Sequence, residues 1–169
     1  MNPILSAGLL IGVLTGVWTF VMGFTGWYKD PALMNVFFVV VLIEIGGLIW
    51  GLRRTAAEGR GYGSQIVAGA LISIVAGVVV IGSSLLFTTV AFPNYFQELE
   101  DVQREMLAEQ GEPAAQIDAT IAATRGFNTP MNQALVGFTA TLITGILASA
   151  VIALWVRSRH PIPGPALRR

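Results

Sequence analysis

Four stretches of the chain are continuously apolar: Ile4 to Phe24, Ala32 to Leu52, Ile66 to Ala91 and Ala134 to Val156. Each reaches the roughly 20 residues that a helix needs to cross a hydrocarbon core about 30 Å thick. Apolar and polar positions do not alternate within them, so the pattern predicts helices and not barrel strands. The third run is longer than a bilayer requires, and it is expected to tilt or to project into the headgroups. Prolines mark the limits. Pro3 and Pro31 suit first helical turns, where no amide is lost, and Pro93, after Phe92, ends or kinks the third run. The first run lacks a basic lead-in and is too long for the apolar part of a signal peptide, so it reads as a true span.

The polar stretches differ sharply from one another. Gly26 to Asp30 is a tight turn, whereas residues 93–129 are long and acidic, with Glu98, Glu100, Asp101, Glu105, Glu109, Glu112 and Asp118 against Arg104 and Arg125. Within this segment Tyr95, Leu99, Val102 and Met106 recur at helical spacing. Pro113 can restart a helix after Gly111, and Ile117 and Ile121 then share a face. The expected fold is an all-α membrane protein: one domain, a four-transmembrane-helix bundle with an extracytoplasmic amphipathic helical hairpin between helices three and four. This hairpin reads either as a solvated cap over the helix ends or as a docking surface for a partner. An acidic face is repelled by anionic lipid headgroups.

Composition agrees with a bilayer as solvent. Hydrophobic residues make up 54% of the 169 residues and charged ones 12%, against roughly 25% charged in soluble domains. The formal net charge of zero argues against a nucleic-acid partner, and the absence of cysteine excludes disulfides, thiolate metal sites and cysteine nucleophiles. His160 is the single histidine, which leaves no pair for a metal and no intramembrane ligand for haem. Charge placement adds orientation. Arg53, Arg54, Arg60, Arg157, Arg159, Arg168 and Arg169 lie at one end of the spans, and Lys29, Arg104 and Arg125 at the other. The positive-inside rule then puts both termini and the central loop in the cytoplasm, with residues 92–130 periplasmic. Trp27, Tyr28, Tyr95 and Phe96 fall at the outer interface, and Trp50, Tyr62 and Trp155 at the inner one.

Lipid gives helices no hydrophobic reason to associate, so close approach at small residues must supply it. The first span carries Gly8, Gly12 and Gly16; the second, Gly47 and Gly51; the third, Gly69, Ser73 and Gly77; the fourth, Gly137, Thr141, Gly145 and Ser149. Each series steps by four and marks one helix face. The bundle itself is expected to use these faces first, and any remainder would serve self-association or another subunit. Ala7 to Val17 (AGLLIGVLTGV) and Ala68 to Val78 (AGALISIVAGV) also agree at six of eleven positions. That likeness fits either a parallel internal repeat about the membrane normal or convergent composition.

One residue is expensive where it stands. Glu44 precedes Arg53 by nine residues, which at about 1.5 Å per residue places it near the bilayer midplane. A charged carboxylate there costs roughly 2.5–3.5 kcal/mol, and no cation lies at its depth in any span. The expected solution is a neutral, protonated acid bonded to hydroxyls, with Ser73, Ser149 and Thr15 level with it. Such a group either ties helices together or serves proton-coupled transport, as in small four-helix drug exporters. Gly59, Gly61 and Gly63 lack the last glycine of a dinucleotide loop and follow no strand. The P-loop, serine-elbow and HExxH motifs are missing, so neither an enzyme nor a cofactor is expected.

Gly51 to Gly69 (GLRRTAAEGRGYGSQIVAG), Phe92 to Gly111 (FPNYFQELEDVQREMLAEQG) and Asn128-Thr129-Pro130 carry a family likeness. In this order of spans and loops the chain resembles the bacterial domain-of-unknown-function family forty-one ninety-nine over nearly its whole length. It departs at Arg53-Arg54-Thr55, where a basic-aromatic-basic-acidic run is usual. The resemblance implies a bacterial inner-membrane protein, with no catalytic residues and no assigned activity. Taken together, the expected function is that of a non-catalytic integral membrane protein. It would be an accessory or scaffolding subunit partnered by the bilayer and by other membrane subunits or copies of itself. The alternative is a small proton-coupled transporter acting through Glu44.

Overall fold

The computed structural model describes residues 2–156; Arg157, Arg159 and the tail beyond them, where the sequence places four arginines, lie outside the described residues. The long helices are α1 (Pro3–Thr25), α2 (Val39–Ala56), α3 (Tyr62–Leu86) and α6 (Pro130–Val156). Between α3 and α6 come the shorter α4 (Tyr95–Glu109) and α5 (Ala114–Arg125), and no strand occurs among the described residues. A 3-10 segment, Met34–Phe38, leads into α2, and a π-helical turn, Phe87–Ala91, ends α3. With these extensions the four long helices are each long and apolar enough to cross a membrane.

Local chemistry sets the helix ends. Asn2 caps α1 by accepting from the Ile4 amide at 3.0 Å, with Pro3 in the first turn. Gly26, at φ +72, ends it in the left-handed conformation that glycine adopts without a Cβ penalty. The second span begins less regularly than the sequence suggests. Asp30 accepts the Ala32 amide through its side chain at 2.9 Å, and regular α-helix starts only at Val39. The bulky Val36-Phe37-Phe38 stretch has little helix propensity to carry α-helix back to Ala32. The third and fourth helices begin four residues earlier than their apolar runs. At the fourth, Thr129 accepts the Asn132 amide at 3.3 Å and Pro130 fills the first position. At the end of the third span, the Phe92 amide donates to the Phe87 carbonyl five residues back, at 2.8 Å. The helix therefore ends in this wide turn before Pro93.

The spans neighbour one another in the order α1, α3, α6, α2, and α1 faces α6 across the bundle. α1 and α3 run parallel: Gly8 lies against Ile72 and Val75, Gly12 against Ala76 and Val79, and Gly16 against Ser83. A methyl on Gly12 would sit 2.6 Å from Val79 Cβ and 2.8 Å from the Ala76 carbonyl oxygen. α3 and α6 run antiparallel, with Gly69 on Ser149, Ser73 on Gly145, Gly77 on Phe138 and Val80 on Gly137. Gly47 receives Ile11, and Gly51 receives Ala7 and Ile72, which seats α2. The four-step glycine faces are thus taken up inside the chain. The repeat gains no support from this arrangement. A two-fold axis along the normal would set α1 diagonally opposite α3, and the two are adjacent.

Side chains fill the two ends of the bundle differently. Ala7, Ile11, Leu48, Leu52, Ala68 and Ile72 form a closed core toward the end that carries Arg53 and Arg54. Toward the opposite end, where α4 and α5 lie, the helices stand apart around open space.

Candidate functional site: a cleft ending at Glu44

Glu44 projects from α2 into the middle of the bundle and keeps only 5% of its surface exposed. Ser73 of α3 donates to its Oε1 at 3.4 Å, a long bond. Room for the pair comes from Gly145 of α6, since a methyl there would meet both Ser73 Oγ and Glu44 Oε1. Thr15 lines the same recess. Ser149 does not join them. Its hydroxyl packs against Gly69, one helical turn nearer the arginine end, and finds no hydrogen-bond partner among the described residues. The structure therefore brings Glu44, Ser73 and Thr15 together and leaves Ser149 in the helix interface.

Space leads from Glu44 toward the hairpin end. A recess of about 130 Å³ is lined by Glu44, Thr15, Thr141, Thr144 and the apolar faces of α2 and α3. It adjoins a chamber of about 370 Å³ through shared walls at Thr19, Phe37, Ser84 and Gln133. Met22, Met34, Phe87, Thr88 and Leu99 complete much of the chamber. In the other direction Leu48, Leu52 and Ile72 are fully buried and close the path. The cleft is blind: sealed at the arginine end, with an acid at its floor, it widens toward the hairpin end, where Tyr95 and Leu99 of α4 line it.

Three of the hydroxyls on its walls, those of Thr19, Ser83 and Thr88, are committed as donors to backbone carbonyls. Thr19 Oγ1 donates to the Thr15 carbonyl at 3.0 Å and Thr88 Oγ1 to the Ser84 carbonyl at 2.9 Å. Their lone pairs still face the space, so these positions act as acceptors. No group of His, Asp or Glu able to hold a metal ion occurs among the described residues.

A family model described as a protein of unknown function (DUF4199) matches residues 6–158. The chain belongs to this family. Of the segments that carry the likeness to DUF4199, the first forms the turn between α2 and α3 at the arginine end, the second builds α4, and the third opens α6. No curated protein and no solved structure matches the chain.

Around the mouth, this DUF4199 chain carries contacts that its sequence pattern does not announce. Tyr28 is buried, not spread on an interface, and its rings pack with Phe92 and Tyr95. Its hydroxyl donates to Glu98 of α4, and Lys29 Nζ stands 3.1 Å from the other oxygen of the same carboxylate. Burial, together with Glu98, pushes the Tyr28 phenol far up, so it remains a donor. The Tyr28 bond, seconded by Lys29, holds Glu98 below the usual carboxylate range. Arg125 of α5 grips Glu100 of α4 through two bonds, at 3.2 and 2.8 Å, and Arg104 reaches Asp118 at 2.6 Å. At the opposite end, the Thr55 hydroxyl donates to Gln65 Oε1 at 2.6 Å, with both side chains fully buried. The available sequence signal for this pair is two polar residues in the abutting turns of successive spans.

Proposed function

We propose that this chain is a multi-pass protein of the bacterial inner membrane, neither enzyme nor cofactor carrier, that moves a small solute with proton exchange at Glu44. The observation behind this is the blind cleft, widening toward the hairpin and floored by a buried carboxyl with no cation beside it among the described residues. A carboxyl at that depth pays its solvation cost unless it is neutral, paired or wetted. A solute that trades places with its proton supplies each of those states in turn. The positive-inside rule turns the arginine end to the cytoplasm and the mouth to the periplasm.

The test is transport by the full chain in liposomes that enclose a pH dye, challenged with a panel of small organic solutes. The expected result is solute-dependent proton movement that Glu44→Gln abolishes. Absence of any solute-linked proton movement, or its persistence in Glu44→Gln, would overturn the reading. Orientation is checked by single cysteines in this cysteine-free chain. Arg60→Cys should react with an impermeant reagent only from the cytoplasmic side, and Gln110→Cys only from the periplasmic side.

A second reading, an accessory subunit of a larger membrane assembly, draws on α5. Ala115, Ala119 and Ala122 share one face of that helix and all are exposed, a smooth strip suited to close helix approach. Mild-detergent purification that returns a stoichiometric companion, lost in Ala119→Arg, together with no flux from the bare chain, would favour it.

A further inference from the structure

Resting on the carrier reading above, we infer that the cleft takes an organic monocation. Its apolar body would lie in the outer chamber, and its ammonium group would reach toward Glu44. Two features of the walls point to this class. The floor is a single acid with no Lys, Arg or His beside it in the spans, so a ligand bearing one positive charge completes the site and an anion does not. Thr19 and Thr88 have given their hydroxyl protons to backbone carbonyls and can only accept from a ligand. A protonated amine is all donor at its head and matches these two acceptors.

The size and lining of the chamber select the body. Its volume of about 370 Å³ far exceeds a bare ion, and pockets of this scale suit small organic molecules. Met22, Met34 and Leu99 offer polarizable or aliphatic surface, and the rings of Phe87, Tyr28 and Tyr95 stand around them. Aromatic faces attract cations as well as apolar groups. Asp101, Glu105 and Glu109 are exposed on α4, the helix that gives Tyr95 and Leu99 to the chamber wall, and exposed carboxylates on that helix raise the local concentration of cations. The recess beyond Phe37 and Gln133, about 130 Å³, admits an amine head but not an aromatic body together with it.

Calorimetric titration of the full chain in detergent micelles tests this with three probes of one shape: 2-phenylethylamine, 2-phenylethanol and 3-phenylpropionate. The amine should bind saturably, and the neutral and anionic probes at least about tenfold more weakly, because a buried charge pair forms only with the amine. Titrations in two buffers of different ionisation enthalpy should report about one proton released per amine bound, the proton leaving the Glu44 acid. Glu44→Gln should lose that release. Gln133→Trp, an exposed wall position at the junction of chamber and recess, should block binding with Glu44 intact, and so it serves where Glu44→Gln fails to fold. Equal binding of the alcohol, no saturable heat from the amine, or displacement of the amine by sodium but not by choline would each overturn the assignment. Proton-linked flux of another solute without amine binding sinks this assignment and leaves the carrier. Amine binding without any flux keeps the assignment and sinks the carrier.

Discussion

The half of the bundle near Arg53 and the half near the hairpin are built from the same four helices by opposite means. In the arginine half, glycine and serine bring backbones together: Gly8 and Gly12 on α3, Gly51 on Ala7 and Ile72, and Gly69 on Ser149. Leu48, Leu52 and Ile72 fill what remains, and Thr55 with Gln65 ties α2 to α3. In the hairpin half, α2 gives way to a 3-10 segment, α3 to a π-helical turn, and threonines and aromatics line the walls. In lipid, packing between helices must come from close van der Waals contact. Where the glycines instead meet larger side chains, as Gly77 meets Phe138, and the helices give way to irregular turns, space is left between them and becomes a site.

Substitutions should act on the two halves unequally. The largest effect is expected from Gly12→Leu, which drives a side chain into Val79 and the Ala76 carbonyl. Overpacking of this kind costs about 3 kcal/mol, read as lost thermal stability in detergent. A variant as stable as the parent would show that α1 and α3 are not in contact there. Next comes Thr55→Val, which strands the buried Gln65 carbonyl at about 2 kcal/mol. Pairing it with Gln65→Leu should restore most of the loss, and failure of that rescue would deny the pair its role.

In the hairpin half, Tyr28→Phe should leave global stability nearly unchanged and speed amide exchange along α4 several-fold at neutral pH. The sign with pH follows from Glu98, whose carboxyl is held low by Tyr28 and then Lys29. Its contribution is complete above the ordinary carboxylate value of about 4.3 and is lost as pH falls through the lowered one. Parent and variant should therefore converge in acid; a difference that persists there would assign the effect to ring packing. A small change of opposite sign is expected from Gly46→Ala. A methyl at this exposed glycine on α2 meets nothing within 4 Å, so the variant should gain up to about 1 kcal/mol from helix propensity. Destabilisation would mean that something outside the chain covers this face.

Helix number, the small-residue faces and the acid at mid-depth were legible because each depends on local pattern. An apolar run of fixed length, a four-residue step and one carboxylate among valines and isoleucines need no tertiary knowledge. The partners of those features were less so. Gly145 as the residue that makes room for Glu44 and Ser73, and Gly69 as the one that draws Ser149 away, follow from the register between α3 and α6. No property of either helix alone sets that register. Tyr28 reads as an interfacial aromatic and is instead buried, because its loop folds under α4. The cleft was hidden for a related reason. Empty space is a property of how helices diverge, and the cause here lies in two short irregular segments whose composition looks like ordinary span.

The wide turn at Phe87–Ala91 carries a further consequence. Residues five apart on a regular α-helix point about 140° away from each other, yet Phe87 and Phe92 stack with ring centres 4.5 Å apart. One surplus residue in the coil creates that stack, with Phe87 on the chamber wall and Phe92 behind it against Gly23 and Tyr28. This side of the wall thus depends on how many residues the segment counts, and less on which ones they are. Deleting Thr89 would rewind the segment and part the two rings, while leaving the residues around Glu44 chemically untouched.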